Sequence, residues 1–214
     1  MEAIRPAAVV VEEVPGFAGS GAAAMVKGVL RTLGYRLHEG ILDAHAFGSL
    51  TKRRRYCLVA VAGDGFALPR PPGPSGKRVA DVLEAPPQER RWVTAGECPS
   101  VATMLRRSRE HARRGHGFRM GAVGPEATAC PTISKGIAKR RLTDPILADG
   151  AGRFSWFTPR ELARINGLPD DFVLPDAKTR ACEVVGQGVA YEPFRAVADA
   201  LRRWFGAAEE APAS

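Results

Sequence analysis

The sequence has little cysteine and no long run of apolar residues. Its four cysteines, Cys57, Cys98, Cys130 and Cys182, form no C-x-x-C pair, so the usual spacing of metal ligands is absent. No segment approaches the roughly 20 apolar residues of a membrane-spanning helix, and the first apolar run, residues 7–11, is too short for a signal peptide. We therefore predict a cytoplasmic protein that binds neither a metal nor a membrane.

The chain also has fewer acidic than basic residues. The chain has 31 Lys and Arg residues against 23 Asp and Glu, which gives a formal net charge of +8. Such an excess suits a polyanionic partner, because each neutralised phosphate releases a counterion; the alternative is that the arginines lie on solvated faces. With 45% hydrophobic residues in 214, the chain can build the core of one ordinary domain or two small ones.

The first third of the chain alternates between strand and helix patterns. Residues 7–11 are a continuous apolar run typical of a buried strand, and residues 22–33 have helical spacing that ends at a glycine. Residues 35–42 alternate like a strand, and residues 56–62 predict a second buried strand. This order indicates an α/β fold class. The Gly- and Pro-rich residues 63–76 then predict a linker or domain boundary.

The remainder is less regular until Thr158. Residues 77–150 have weak periodicity, with one short helix candidate near residues 79–83. Thr158 to Glu161 is a capping box with proline at the first helical position, and it predicts a helix that ends at Gly167. Residues 193–205 predict an amphipathic final helix, and the tail after it is expected to be disordered.

Three separated segments resemble, in order, motifs of the DNA (cytosine-5) methyltransferase family. The first is V-E-E-V-P-G at 11–16, the second F-G-S-L-T-K-R-R-R-Y at 47–56, and the third F-T-P-R-E-L-A-R-I-N-G-L-P-D-D-F at 157–172, followed by V-G-Q-G-V at 185–189. Three positions depart from the family pattern: Glu13 and Gln187 replace Asn, and Thr51 replaces Gln.

The resemblance implies the C-terminal portion of a Rossmann-like methyltransferase sheet plus a small, irregular target-recognition domain. The expected division is 1–68 for the end of the large catalytic domain, 69–157 for the target-recognition region, 158–182 for the recognition-domain helix and turn, 183–206 for the return segment and final helix, and 207–214 for a disordered tail.

The resemblance also assigns roles to individual residues. Glu12 is expected to contact a flipped cytosine and favour protonation at ring N3, Arg55 to reach the same base, and Arg53 to support phosphate or base contacts. The segment expected beside an S-adenosylmethionine pocket comprises Gly186, Gln187, Gly188 and Val189. The residues expected to contact double-stranded DNA are Arg106, Arg107, Arg109, Arg113, Arg114, Lys135, Lys139 and Arg140.

The family nucleophile, a cysteine in Pro-Cys-Gln upstream of the first motif, has no counterpart here, because none of the four cysteines follows a proline. We therefore expect a partial methyltransferase, of restriction-modification type, that is inactive alone and completed by a complementary chain. Its exposed sheet edge predicts poor solubility alone.

The alternatives are an inactive DNA-binding remnant and a start codon misplaced in a longer gene. A further alternative takes F-A-G-S-G at 17–21 as the cofactor loop, with Glu39 and Asp43 as the following acids, although Pro15-Gly16 separates these glycines from the strand.

Overall fold

Six strands and five α-helices follow one another along residues 4–210, the part of the chain that the computed structural model describes. The strands are β1 (Ala8–Glu13), β2 (Arg36–Asp43), β3 (Arg54–Val61), β4 (Gly121–Val123), β5 (Pro145–Ala148) and β6 (Phe154–Ser155). The helices are α1 (Gly21–Thr32), α2 (Pro99–Arg113), α3 (Pro159–Ile165), α4 (Lys178–Gln187) and α5 (Tyr191–Glu210). The mixed α/β class predicted from the sequence is confirmed.

The first sheet has the strand order β1-β3-β2, and both pairings are antiparallel. The central strand β3 is buried from Tyr56 to Val61, which explains its continuous apolar sequence. Within residues 4–210, β1 and β2 each have a neighbour on one side only. The outer edge of β1 therefore presents backbone donors and acceptors without a partner strand.

Helices cover both faces of this sheet. On one face Leu30 of α1 packs with Tyr56 and Leu58 of β3. On the other face Val197 of α5 packs with Val59. The alternation of side chains along β3 places these two sets on opposite faces, because successive residues of a strand point in opposite directions. We call residues 8–66 together with α5 the sheet unit.

Residues 65–78 form no helix or strand and lead into residues 79–189, which we call the recognition unit. A small sheet of order β4-β5-β6 lies here, parallel between β4 and β5 and antiparallel between β5 and β6. A larger apolar cluster joins the unit to the sheet unit through Leu50, which packs with residues such as Ile133, Leu162 and Val185.

Three features differ from the sequence-based expectation. The basic stretch after Pro99 is a regular helix, α2, which buries Val101 and Met104 and turns its arginines outward. Helix α4 runs through the boundary expected between residues 182 and 183. Helix α5 continues to Glu210, so residues 207–210 are helical rather than disordered, while residues 211–214 lie outside the described part. In that part, no helix is long and apolar enough to span a bilayer.

Candidate functional site

Glu12 and Arg55 meet where β1 ends and β3 begins. The antiparallel register places Glu12 opposite Cys57, so Arg55 lies two residues away on the same face of the sheet. The Arg55 Nε lies 2.8 Å from Glu12 Oε1, and the two side chains are 20% and 31% exposed. The ion pair thus joins residues that are distant in sequence, and solvent can reach both side chains.

This ion pair offers both an acceptor and donors to a ligand. Arg55 Nη1 donates to the carbonyl of Arg54 at 2.9 Å, and neither this bond nor the ion pair uses the donors on Nη2. Glu12 presents a second carboxylate oxygen. A carboxylate accepts from a ring N–H or amino group, and a guanidinium donates to a carbonyl oxygen. The arrangement therefore suits a heterocycle that carries both kinds of group along one edge.

Arg53 occupies the interior, unlike Arg55. It is 5% exposed, and its Nη1 donates to the carbonyls of Ile133 at 3.1 Å and Gly186 at 3.3 Å. Burial, with a smaller contribution from the neighbouring positive charge of Arg55, lowers the pKa of Arg53 to about 10. The expected contact with a phosphate or base does not match this position, because the guanidinium faces the two carbonyls. Arg53 instead joins β3 to the recognition unit.

The glycine-rich segment at the C-terminal end of α4 lies next to Arg53. Gly186 packs against the backbone of Ser134 and Lys135. A Cβ at position 186 would lie 2.2 Å from the carbonyl oxygen of Ser134. The Gln187 side chain donates to Glu183 at 2.8 Å, while Val189 is partly exposed. The bond from Arg53 Nη1 to the Gly186 carbonyl holds this segment beside the start of β3, and its place beside a cofactor pocket stays a prediction.

Three of the four thiols are poorly suited to nucleophilic attack. Cys57, Cys130 and Cys182 are buried, whereas Cys98 is partly exposed. Burial raises the pKa of Cys57 to about 11, with a further contribution from the charge of Glu12, and raises the pKa of Cys130 to about 12. Burial also raises the pKa of Cys182. A nucleophilic cysteine reacts as the thiolate, which a raised pKa disfavours.

The residues of the alternative cofactor loop serve packing and capping. Phe17 lies in a short 3-10 helix and packs against Tyr56, with ring centroids 5.7 Å apart. Ser20 caps α1 by accepting from the backbone of Ala23 at 3.1 Å. Glu39 is engaged by Lys27 at 3.1 Å and by the Tyr56 hydroxyl. These contacts occupy the aromatic ring and one of the acids that the alternative would use.

The segment at 157–172 is built around a buried carboxylate. Thr158 and Glu161 form the predicted capping box, with Thr158 Oγ1 accepting from Glu161 N at 3.1 Å and Glu161 Oε2 accepting from Thr158 N at 2.9 Å. Glu161 also forms an ion pair with Arg90, and its Oε1 accepts from the backbone of Glu84 at 2.9 Å. The buried Glu161 carboxylate therefore connects the start of α3 to Glu84 and Arg90 within the recognition unit.

The eight basic residues expected to contact DNA are all exposed on the recognition unit. Four of them lie on α2 and Arg114 is its C-cap; helical spacing puts Arg107 and Arg114 on one face and the other three arginines on another. Arg140 stacks over Trp156 at 4.5 Å, and Lys135 pairs with Glu183 at 3.3 Å. Arg107, Lys139 and Arg140 line one cavity. Arg141, which the sequence interpretation left out of its site, lines the same cavity.

Comparisons with known proteins identify the family of the chain. Residues 1–203 match the family described as C-5 cytosine-specific DNA methylase. Type II methyltransferase M.NlaX of Neisseria lactamica is 29% identical over 92% of the chain, and type II methyltransferase M.DsaV of Dactylococcopsis salina is 28% identical over 96%. A tRNA (cytosine(38)-C(5))-methyltransferase of Schizosaccharomyces pombe is 27% identical over 77%.

The chain is shorter than these relatives. It spans 63%, 60% and 53% of their lengths, in the same order. Among solved structures, the S. pombe Dnmt2 methyltransferase aligns with a TM-score of 0.68 and 22% identity, covering 94% of this chain and 68% of that one. The fold is thus shared with a methyltransferase over most of the chain.

Proposed function

The chain belongs to the C-5 cytosine-specific DNA methylase family, and from this premise we propose that it supplies the base-holding and DNA-recognition part of a DNA cytosine-5 methyltransferase. The observation that carries the proposal is the partly exposed Glu12–Arg55 ion pair, with Nε and Oε1 2.8 Å apart. Because two of the matched relatives are type II methyltransferases, we further propose a restriction-modification setting.

The pair holds a cytosine that has left the DNA stack. Glu12 accepts hydrogen bonds from the ring edge and stabilises a proton on N3, while a free Arg55 N–H donates to the O2 carbonyl. Stabilising the protonated ring withdraws electron density from C6, so that C6 becomes a better electrophile. Attack by a thiolate at C6 then makes C5 nucleophilic, and loss of the C5 proton after methylation allows the thiolate to leave.

S-adenosylmethionine, when bound, supplies the electrophilic methyl group. Gly186, Gln187, Gly188 and Val189 offer one wall for it, and Arg53 keeps that wall close to the base-holding pair through its bond to the Gly186 carbonyl. Arg53 is thus proposed as a positioning residue, whereas Glu12 and Arg55 touch the substrate.

The nucleophilic thiolate is proposed to come from a polypeptide segment outside these 214 residues. The raised pKa values of Cys57 and Cys130, about 11 and about 12, argue against either as the thiolate. The open edge of β1, where Val10 is 44% exposed, is the proposed attachment point for a strand of the complementary segment. The duplex would lie along the basic surface of the recognition unit.

The test is methyl incorporation from labelled S-adenosylmethionine into duplex DNA, with a tRNA substrate in parallel. The 214-residue chain alone is expected to give none. Adding the polypeptide encoded upstream, if it contains F-x-G-x-G and Pro-Cys-Gln, is expected to restore methylation of DNA. In the reconstituted complex, Glu12→Gln and Arg55→Gln should each lower the rate by about 100- to 1,000-fold, the range for loss of a preorganised charged contact.

Lys27 provides a matched control. It forms an ion pair of similar length with Glu39, 3.1 Å, on the same sheet unit, and Lys27→Gln should leave methylation unchanged. Incorporation by the chain alone would contradict the proposal. DNA binding without incorporation in the complex, or an upstream sequence lacking both motifs, would favour the alternative of a DNA-binding remnant.

A further inference from the structure

An open groove lies between α2 and residues 139–143 of the recognition unit. Its volume is about 530 Å³, and the residues that define it are Arg107, His111, Arg114, Phe118 and Arg141. We call it the α2 groove. An adjoining cavity of about 420 Å³ shares Arg107 and Arg141 and extends the groove toward the beginning of α2.

The arginines of the α2 groove carry uncompensated charge. Across residues 4–207, Arg107, Arg114 and Arg141 take part in no ion pair, whereas Arg106 on the neighbouring face of α2 pairs with Glu110 at 2.7 Å. Glu110, the acid at the groove, is thus engaged by Arg106. Arg107 and Arg114 line the groove from the same face of α2, and Arg141 lines it from the other side with its guanidinium against Gly136. Their combined positive charge attracts a phosphate backbone.

An aromatic side chain is held at the rim of this groove. Phe118 is 59% exposed, and its ring centroid lies 5.5 Å from that of His111. The turn that carries it is fixed to α2, because His116 Nδ1 lies 3.2 Å from His111 Nδ1 and His116 N donates to the His111 carbonyl at 2.9 Å. Arg119 closes the turn by donating to the His116 carbonyl at 2.6 Å. The ring is therefore presented to solvent by an ordered turn.

We propose that the α2 groove binds a single-stranded segment of nucleic acid, with one base stacked on Phe118 and the flanking phosphates on Arg107, Arg114 and Arg141. A paired base has both faces covered by its neighbours in the duplex, so an exposed ring gains a stacking partner only from an unpaired base. The inference rests on the proposed nucleic-acid substrate but needs no methyl transfer.

The experiment measures fluorescence anisotropy of a short labelled single strand and of the matching duplex, with the full chain. Phe118→Ala should weaken single-strand binding by about 5- to 100-fold, since stacking contributes about 1–3 kcal/mol per base. Duplex binding should change less than about twofold. Phe118→Tyr should retain single-strand binding. Phe172→Ala is the matched control, because Phe172 is also a partly exposed ring (37%) outside the groove.

The double variant Arg107→Gln/Arg141→Gln should weaken single-strand binding and reduce the salt dependence by about one ion per phosphate contact removed. Equal loss of both nucleic acids in Phe118→Ala, or no loss of either, would overturn the inference. If the unaltered chain binds duplex but no single strand, the inference fails and the proposed function stands. If it binds neither, both fail.

Discussion

Replacing Glu161 by Gln removes the charge around which the recognition unit is assembled. The Glu161 side chain is fully buried and that of Arg90 is 6% exposed, so the variant leaves a guanidinium buried beside a neutral amide. Apart from the neutral amide oxygen at position 161, Arg90 retains the Trp156 carbonyl at 3.0 Å and the Ser155 hydroxyl at 3.3 Å as acceptors. Breaking one partner of a buried ion pair costs about 3–5 kcal/mol, a large share of the 5–15 kcal/mol that stabilises a typical domain.

Urea unfolding followed by tryptophan fluorescence measures this loss. With a slope of about 2–3 kcal/mol per M, Glu161→Gln should lower the unfolding midpoint by about 1–2 M. Asp170→Asn is the matched control: its ion pair with Arg164 is 2.7 Å long, but the side chains are 66% and 29% exposed, so the expected loss is under about 1 kcal/mol. The double variant Arg90→Gln/Glu161→Gln should lose less than the sum of its single variants. An effect of Glu161→Gln no larger than that of Asp170→Asn would refute this account of the recognition unit.

Three further predictions concern the thiols, the glycines and acid stability. In the native chain a thiol reagent such as dithiobis-nitrobenzoate should modify Cys98 alone, with the three buried thiols reacting only after unfolding; prompt reaction of more than one thiol would contradict this. Gly28→Ala in α1 meets no atom within 4 Å and should stabilise by about 0.5–1 kcal/mol, whereas Gly186→Ala in α4 should destabilise by at least about 1–3 kcal/mol in the same urea assay; equal effects would refute the close approach at Gly186. The Tyr56 hydrogen bond lowers the pKa of Glu39 below its ordinary value, so its stabilising effect is present above about pH 4.3 and is lost as the pH falls through the lowered pKa. The difference in urea midpoint between the native chain and Tyr56→Phe should therefore shrink from pH 7 to pH 3, and a constant difference would count against the linkage.

The sheet unit could be predicted because its apolar patterns are strong and local. Residues 56–61 are apolar in succession because β3 is covered by helices on both faces, and the capping box at Thr158 specifies the start of α3 by itself. What the pattern did not contain was the antiparallel pairing of β1 with β3. That pairing brings Glu12 to Arg55, and here it could be expected only from the family resemblance.

The recognition unit was harder to predict, for two physical reasons. Helix α2 has a narrow apolar stripe, chiefly Val101 and Met104, within a strongly charged sequence, so charge obscured the helical period. Pro99 and the spacing of those two residues were the available signals. The burial of Arg53 depends on carbonyls 80 and 133 residues further along the chain, and no local pattern contains such contacts.

The way Arg53 bridges the molecule suggests where it could be re-engineered. Its bond to residue 133 uses a main-chain carbonyl, which every amino acid provides, so the joint does not depend on the identity of that side chain. Residues 99–119, which contain α2, take part neither in the Arg53 bonds nor in the Glu161–Arg90 pair. A graft that exchanges this stretch for the corresponding one of a relative should change which nucleic acid is bound and leave the Glu12–Arg55 pair in place.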